Sequence, residues 1–442
     1  MLTWFRKNMK GIMIAVAVIF IASIVYLPIS SGGFQGKQGG ANNQLAKVNG
    51  QEISPIRYRE LMSRLVRNFG GIVSPQDLAF VENLTLGQSI DFTLMLNEAK
   101  RKVKVSGGEI DAAIDSIMRQ QKIPSKRILE ENLKRVGLNY GQFRELIKED
   151  ILVQKLAMKL REEVKVTPDD LREIRCRHIL VTNEVIAQIV MEQIKKGGDF
   201  AALAKKYSQD PGTANRGGDL GFFDYNTMVA PFAKAAFALK IGQVSEIVKS
   251  PFGYHIIKLE DSRIRKFPGN VKDIQKAVLQ DKQEKAFRNW YGEVRSKAKV
   301  EIISHELLGN DFRFKGKLVE AAEEYKKAIV DNPGNPFLHV FLGDTYMAGK
   351  QAALAISEYE MSLKIDGSNP ELYIILGKAY EATGRADLAD EQYKRASLVA
   401  GDNKFMHQRL QAVFSAMKKG RYAANEVQEI KRIEGKEKLF QQ

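Results

Sequence analysis

The sequence contains very little cysteine and histidine for its length. Its 442 residues include a single cysteine, Cys176, and only five histidines. One thiol can form neither an intrachain disulfide nor a cysteine-cluster metal site. Three of the histidines, His305, His339 and His407, lie in the C-terminal third, and no pair has the spacing of metal ligands. We therefore expect no metal ion and no cofactor.

Other kinds of chemistry find little support in the residues. The glycine-rich stretch RGGDLG at 216–221 lacks the Lys-Ser/Thr that completes a phosphate-binding loop. Cys176 and His178 stand two residues apart in a strand-like run, which is poor geometry for a nucleophile and its base. The net charge of +15 comes from 68 basic and 53 acidic residues that are intermixed along the chain. This mixture predicts solvated helix faces rather than a nucleic-acid surface.

The N-terminus carries a long apolar run. Residues 11–36 contain no charged side chain, and three basic residues precede them. The run approaches the ~20 residues that cross a bilayer as a helix. We expect an uncleaved anchor at 1–29 with a cytoplasmic N-terminus. A cleaved signal peptide is the alternative, although no small-x-small cleavage site follows. In a bacterial cell the rest would lie in the periplasm or outside the cell membrane, after a flexible linker at 30–44.

Residues 45–172 are predicted to form an all-helical domain. LAKV at 45–48 predicts a short strand before the helices, and KVEII at 299–303 is a second isolated strand. Because a lone strand needs a partner, we expect these two to pair, so that residues 267–303 complete the domain. No catalytic set of residues occurs in it. A plain helical domain is the simplest interpretation, but its methionine-containing apolar faces would also suit the holding of unfolded chains.

The C-terminal third repeats itself every 34 residues. Glycines at 309, 343 and 377, alanines at 321, 355 and 389, and tyrosines at 325, 359 and 393 keep this step. Spacing and residue types resemble the tetratricopeptide pattern. Small residues let paired helices approach, and tyrosine fills the space between them. We expect an α-solenoid of such repeats over 304–417, able to bind a protein partner, and a charged tail at 418–442 that is helical or disordered.

The central stretch, 173–262, has a different pattern. RCRHILV at 175–181 and GYHIIKLED at 253–261 alternate as strands do, and each carries one histidine, His178 or His255. Two helical patterns, a glycine-rich loop and a short helix after Pro231 lie between them. The sequence predicts an α+β domain inserted in the helical one.

This stretch resembles the parvulin-type peptidyl-prolyl isomerases along its whole length. RHILV, DFAALAKKYSQDP, GGDLGFF, MVAPFAKAAFAL and FGYHIIKLED follow one another in the order of that family. The wider layout is similar to the PpiD, SurA and PrsA group of extracytoplasmic folding factors, in which a parvulin domain is inserted in a helical chaperone domain. The C-terminal repeats are a departure from that layout.

The resemblance implies roles for eight residues. His178 and His255 correspond to the paired histidines of the family, and Asp210 falls at a position held by Asp or Cys. The positions that correspond to the proline pocket, with a hydroxyl beside the histidines, are Leu220, Phe223, Met228, Phe232 and Ser250. The basic cluster of phosphate-directed parvulins is missing, since Val-Thr-Asn-Glu follows the first strand. Phosphopeptide specificity is therefore not implied.

Two functions follow as competing hypotheses. The first is a membrane-anchored peptidyl-prolyl isomerase and chaperone that acts on unfolded or nascent extracytoplasmic polypeptides by non-covalent catalysis. His178, Asp210 and His255 would then tune the polarity of an apolar pocket without a covalent step. The second is a non-enzymatic holdase or scaffold with a degenerate parvulin domain, whose repeats recruit a partner.

Overall fold

The computed structural model describes residues 44–68, 73–225, 227–264 and 271–439. The anchor expected at 1–29, and all but the last residue of the linker expected at 30–44, lie outside these ranges. Within the described ranges, no helix combines the length and apolarity that crossing a membrane requires. The chain divides into two compact units: the described residues up to Leu156 together with those from Val294, and the intervening Ala157–Glu293.

The first unit begins with a small sheet and five helices. The sheet has the order β2-β1-β7 and is antiparallel. Its strands are β1 (Ala46–Val48), β2 (Gln51–Glu52) and β7 (Val300–Ile302). The helices are α1 (Pro55–Asn68), α2 (Pro75–Lys102), α3 (Gly107–Gln120), α4 (Lys126–Arg135) and α5 (Tyr140–Glu162).

The pairing of β1 with β7 confirms the strand partnership predicted from the two isolated patterns. Ala46 lies opposite Ile302 and Val48 opposite Val300. The Asn49 turn after β1 has a left-handed backbone, with φ of 52°. Its side-chain oxygen accepts a hydrogen bond from the Lys299 amide at 2.9 Å. Closing the sheet therefore joins the chain before the second unit to the chain after it.

A buried ion cluster joins α1 to α5. Arg57 is 3% exposed and donates to Asp150 at 2.9 Å and to Glu149 at 3.0 Å. It also donates to the Leu146 carbonyl at 2.9 Å, and its guanidinium lies 4.2 Å from the centre of the Phe92 ring. Buried charges are stable only when they are paired and hydrogen-bonded. This cluster therefore fixes how α1 and α5 pack.

Eight helices, arranged as four helical hairpins, form the C-terminal part of the first unit. They are α10 (His305–Phe314), α11 (Leu318–Asp331), α12 (Pro336–Ala348), α13 (Ala352–Ile365), α14 (Pro370–Ala382), α15 (Ala386–Ala400), α16 (Lys404–Ala416) and α17 (Gly420–Leu439). Each helix packs against the next along the chain. The segment expected as a tail thus forms α17. Its Ile433 is buried, with only 4% of its surface exposed.

The 34-residue step of the sequence has a direct structural cause. A Cβ added to Gly309 would lie 2.7 Å from the Tyr325 ring, and one added to Gly377 would lie 2.5 Å from the Tyr393 ring. Gly343 faces Tyr359 in the same way. Each glycine therefore admits the tyrosine of the following helix into contact with the helix backbone.

A second contact repeats with the same step. The Nδ1 atoms of His305 and His339 each lie 2.6 Å from a carboxylate oxygen, of Glu324 and Glu358 respectively. His407 and Glu426 make the corresponding contact in the fourth hairpin at 2.5 Å. In the third hairpin the two positions hold Tyr373 and Gln392. Each His–Glu contact joins the first helix of a hairpin to its second.

The second unit is a four-stranded antiparallel sheet with helices on both faces. The sheet order is β4-β3-β6-β5. Its strands are β3 (Arg172–Val181), β4 (Asp219–Asp224), β5 (Val248–Ser250) and β6 (Gly253–Ile264). Its helices are α6 (Glu184–Lys195), α7 (Phe200–Tyr207), α8 (Ala230–Phe237) and α9 (Val271–Ser296), of which the last continues into the first unit.

Both faces of this sheet are buried. One face carries Ile179 and Ile256 and packs on α6 and α7. The other carries Cys176 and Ile257 and packs on α8. Before the sheet the chain makes a single 3₁₀ turn, Pro168–Leu171, and β3 begins at the very next residue.

Candidate active site

Two neighbouring strands bring the histidines of the second unit together. His178 on β3 and His255 on β6 both point to the face that packs on α8. Their rings stack with centroids 5.7 Å apart and planes 18° apart. The two Nδ1 atoms are 3.4 Å apart, and each residue is 5% exposed. The alternation of polar and apolar residues along both strands places them on the same side.

Each histidine uses its other nitrogen to contact a polar side chain. The Nε2 atom of His178 lies 2.8 Å from Asp210 and 3.0 Å from Thr213. The Nε2 atom of His255 lies 2.7 Å from the Ser250 hydroxyl. Thr213 also donates to Asp210. The result is one hydrogen-bonded chain from the serine through both imidazoles to the carboxylate.

The direction of donation in this chain follows from the carboxylate. An ionised Asp210 can only accept, so His178 donates to it from Nε2. The Nδ1 atom of a neutral His178 is then an acceptor, and the Nδ1–H group of His255 donates a hydrogen bond to it. This leaves the Nε2 atom of His255 to accept the Ser250 hydroxyl proton. Every polar atom is satisfied with both imidazoles neutral.

The surroundings favour that protonation state. Burial, with a smaller repulsion from His178, lowers the pKa of His255 to about 4. Burial also lowers the pKa of His178, although the hydrogen bond to Asp210 opposes it. Burial acts to raise the pKa of Asp210, but hydrogen bonds from Thr213 and His178 outweigh it and lower the pKa overall. Near neutral pH this hydrogen-bonded chain therefore contains two neutral imidazoles and one carboxylate.

An apolar floor adjoins the histidines. Phe232 of α8 meets both imidazoles edge to face, with centroids 5.7 Å from His178 and 5.2 Å from His255. Phe223 of β4 lies 6.2 Å from the Phe232 ring. Leu220 and Met228, both partly exposed, pack against the same cluster. A substrate group at this place would meet apolar carbon on one side and the imidazoles on the other.

The glycine-rich loop holds Asp210 and Thr213 against β3. The His178 amide donates to the Gly218 carbonyl at 2.9 Å, so the loop backbone lies directly on the strand. A Cβ on Gly218 would collide with the His178 carbonyl, and its φ of 77° also disfavours other residues. The glycines of RGGDLG thus allow close backbone approach; they do not bind phosphate.

All eight site residues predicted from the sequence lie in this one cluster of side chains. Thr213 was missed. The signal for it was weak, because a threonine three residues after Asp210 contacts it only through the shape of the loop. Burial raises the pKa of Cys176 to about 12, which leaves no thiolate to act as a nucleophile. Among the residues that the structure describes, no three metal-ligating side chains are arranged to hold a metal ion.

Two family descriptions match separate parts of the chain. The PPIC-type PPIase domain matches residues 181–261, and the SurA-like N-terminal domain matches residues 1–157. The first contains α6, α7, β4, α8, β5 and most of β6, together with Asp210 and His255.

Named relatives match over most of their own length. The foldase protein PrsA of Caldanaerobacter subterraneus subsp. tengcongensis is 31% identical over 288 residues, which are 60% of this chain and 89% of that protein. PrsA of Geobacillus kaustophilus is 36% identical over 224 residues, 47% of this chain and 76% of that protein. Among solved structures, the parvulin NmPin of Nitrosopumilus maritimus is 49% identical and covers 20% of this chain and 97% of its own, with a TM-score of 0.20.

Proposed function

The chain belongs to the family of parvulin-type foldases that includes PrsA, and it is a peptidyl-prolyl cis-trans isomerase with chaperone character. From this premise we propose that it acts on unfolded or nascent extracytoplasmic polypeptides while anchored to the bacterial cell membrane. We also propose that catalysis is non-covalent and that the cluster around His178 and His255 performs it. The observation that carries the proposal is the apolar floor of Phe232 set against two neutral imidazoles.

The reaction suits this arrangement because no bond is broken. Rotation about an X–Pro bond faces a barrier of ~18–20 kcal/mol from amide resonance and takes roughly tens to hundreds of seconds unaided. The planar amide is more polar than the twisted one, so an apolar site disfavours the planar state more. Each ~1.4 kcal/mol of such preference is worth about tenfold in rate.

The roles we propose divide between the two sides of the site. Leu220, Met228 and Phe232 hold the proline ring, with Phe223 supporting Phe232 from β4. The hydrogen bonds that link Ser250 to Asp210 through the two histidines keep both imidazoles neutral. The side of the site opposite the proline ring therefore carries no full positive charge. A surface without full charge gives the more polar planar amide little electrostatic stabilisation, so the less polar twisted state is relatively favoured.

The enzymatic proposal is tested by two-dimensional exchange NMR on a short X–Pro peptide with the full chain added. We expect cis/trans exchange to be accelerated, and Phe232→Ala to lower kcat/KM by about tenfold or more, since it removes ring contacts from the pocket. Phe222→Ala is the matched control. Phe222 is also a phenylalanine of the second unit, but it lies on β4 and its ring stacks on Arg263.

Two results would contradict this assignment. If the wild-type chain at high concentration left the exchange rate unchanged, the parvulin domain would be catalytically degenerate and a holdase function would remain. If Phe232→Ala and Phe222→Ala kept equal activity, isomerisation would occur elsewhere on the molecule.

The membrane anchor is a separate part of the proposal and has its own test. Its support is the uncharged stretch at 11–36 behind a basic flank. We expect the chain to stay with the membrane fraction after an alkaline wash, and a chain lacking residues 1–29 to be released. Protease added to the outside of spheroplasts should digest the bulk of the chain. Protection of that bulk would reverse the proposed orientation.

We further propose that the four hairpins are tetratricopeptide repeats with a docking role. The support is the 34-residue step and the contact of each repeated glycine with a tyrosine ring. Repeats of this kind use an extended face for binding. A chain that lacks the repeats would keep isomerase activity on short peptides but lose co-purifying proteins.

A further inference from the structure

Helix α2 lies across the repeat array. It packs against α10, α12 and α14, the first helices of three successive hairpins. In a solenoid each repeat is held by its immediate neighbours alone. A single helix that contacts the first helices of three repeats in succession is therefore not one of the repeats, and it lies along the face that those first helices share.

The contacts use one position of the repeat three times. Residues 310, 344 and 378 are separated by 34 each. Asn310 donates to Glu82 of α2 at 2.8 Å. Gln76 of α2 donates from its amide nitrogen to Asp344 and accepts at its amide oxygen from Lys378, each at 3.4 Å. The amide of Gln76 is thus matched at both ends, by an acid in the second repeat and a base in the third.

The apolar contact sits between these polar ones. Ala79 is fully buried and belongs to the core of the repeats. Beside it, the Phe80 ring meets Phe314 edge to face with centroids 5.7 Å apart. The second half of α2 serves another core, in which Ile90 and Leu94 pack near β1. The first two turns are therefore the part of α2 that contacts the repeats, although their Val81 packs on Met62 and Leu65 of α1.

We propose that the common face of α10, α12 and α14 is a docking groove for a helical peptide, and that Pro75–Glu82 of α2 occupies it as a tethered ligand. The groove would recognise a helix that carries glutamine, a small residue three positions later and glutamate three positions after that, as Gln76, Ala79 and Glu82 do in α2. A protein partner with such a helix would bind after α2 has left. This inference rests on the docking role proposed for the repeats.

The first experiment tests whether α2 occupies the groove in solution. Cys176 is buried, so introduced cysteines can be addressed selectively. In the full chain, Gln76→Cys combined with Lys378→Cys should be joined within one molecule by a short thiol cross-linker. Gln76→Cys combined with Lys394→Cys is the control, since Lys394 lies on α15, the second helix of the third hairpin. Equal cross-linking of both pairs, or of neither, would overturn self-occupancy.

The second experiment tests whether the vacated groove binds a helix. The probe is a fluorescent synthetic peptide of residues 73–86, and the readout is anisotropy with the full chain. Ala79→Glu places a charge in a fully buried site and should release α2, so that the peptide binds at least about tenfold more tightly than to the wild type. Lys100→Glu, an exposed change on the same helix, should leave the weak wild-type binding unaltered.

The results distinguish the ability of the groove to bind a peptide from its occupancy by α2. Cross-linking as expected, with no peptide binding to an Ala79→Glu chain of native circular dichroism, would overturn the groove as a docking site. Peptide binding that is equally tight for the wild type would overturn its closure by α2. If Ala79→Glu loses its helical signal, the doubly cysteine-substituted chain replaces it: cross-linking must block peptide binding, and reduction of a cleavable linker must restore the uncross-linked value.

Discussion

At the scale of single residues, the site depends on protons being held at particular atoms. The carboxylate of Asp210 sets the orientation of every hydrogen bond in the chain that ends at Ser250. Asp210 is itself held by Thr213 and by the Gly212 amide at 3.1 Å. A residue that touches only Asp210 and His178 can therefore affect the pocket without reaching a substrate.

Replacing Thr213 tests this directly. Thr213→Val removes a hydroxyl but keeps the shape of the side chain, so we expect kcat/KM to fall about two- to tenfold, the worth of one hydrogen bond. The pKa of Asp210 should rise because it loses a donor, and the acid limb of the pH–rate profile should shift to higher pH.

Thr213→Ser is the matched control, because it keeps the hydroxyl. It should restore both the rate and the position of the acid limb. Activity kept by the valine variant but lost by the serine variant would mean that Thr213 acts through packing alone.

The sequence was informative about these residues to different degrees. His178 and His255 lie in strands whose alternation is plain, and the pocket residues were identified through the family resemblance. Thr213 escaped because its contact with Asp210 depends on a 3₁₀ turn at Ala214–Arg216 and on two glycines with positive φ. Such loop shapes have no periodic signature that could be read in advance.

At the scale of elements, the repeats show how one small residue can determine helix packing. In the first three hairpins, the glycine of the first helix and the tyrosine of the second helix meet in a single contact. Their regular step made the helical hairpins predictable. The same regularity could not predict α17, because a charged sequence with few apolar residues is compatible with a helix or with disorder.

Gly377→Ala is expected to destabilise the array. The added Cβ would lie 2.5 Å from the Tyr393 ring, and that ring is held by Phe414 and Tyr422, so it cannot yield freely. Overpacking of this kind costs about 1–3 kcal/mol. Chemical denaturation of the full chain, followed by circular dichroism, measures the change in the free energy of unfolding.

Gly435→Ala is the control for the glycine itself. It also lies in a helix of the array, but its Cβ would meet nothing within 4 Å. It should stabilise by up to about 1 kcal/mol through helix propensity. If Gly377→Ala were also neutral or stabilising, the tyrosine contact would not be what holds the helices together.

At the scale of the whole molecule, the two units should respond to acid in opposite ways. Burial raises the pKa of Glu306 to about 7, and burial, opposed by Arg57, raises that of Asp150 to about 6. Both groups belong to the first unit. In the second unit the pKa of His255 falls to about 4. These groups titrate over the same pH range but with opposite signs.

Between about pH 4.5 and pH 6.5 the signs can be worked out. Folded Glu306 and Asp150 keep protons that the unfolded chain has released, so the first unit loses stability as pH rises. Folded His255 lacks a proton that the unfolded chain binds, so the second unit gains stability as pH rises. We expect changes on the order of 1–2 kcal/mol in each direction.

Amide hydrogen exchange followed by mass spectrometry can measure both units in one sample. After correction for the intrinsic pH dependence of exchange, protection of β6 should increase from pH 4.5 to pH 6.5 while protection of α10 decreases. His255→Gln should flatten the response of β6 and leave that of α10 unchanged. Parallel changes in both units would show that these groups do not control their stability.

The sequence could specify the elements of the first unit but not how they share their faces. The partnership of β1 and β7 followed from the need of each lone strand for a partner. The use of α2 by three cores did not, because a buried alanine such as Ala79 gives no indication of which helix covers it. Periodicity identifies a face that is buried and is silent about the neighbour that buries it.

The paired histidines and glutamates show which hairpins share the same internal contact. The first, second and fourth hairpins have His and Glu at equivalent positions of the 34-residue repeat. The third hairpin has Tyr373 and Gln392 at these positions. Both partners differ together in that one hairpin. Whole hairpins should therefore be exchangeable within the array, whereas a histidine grafted alone at 373 would face the amide of Gln392 instead of a carboxylate.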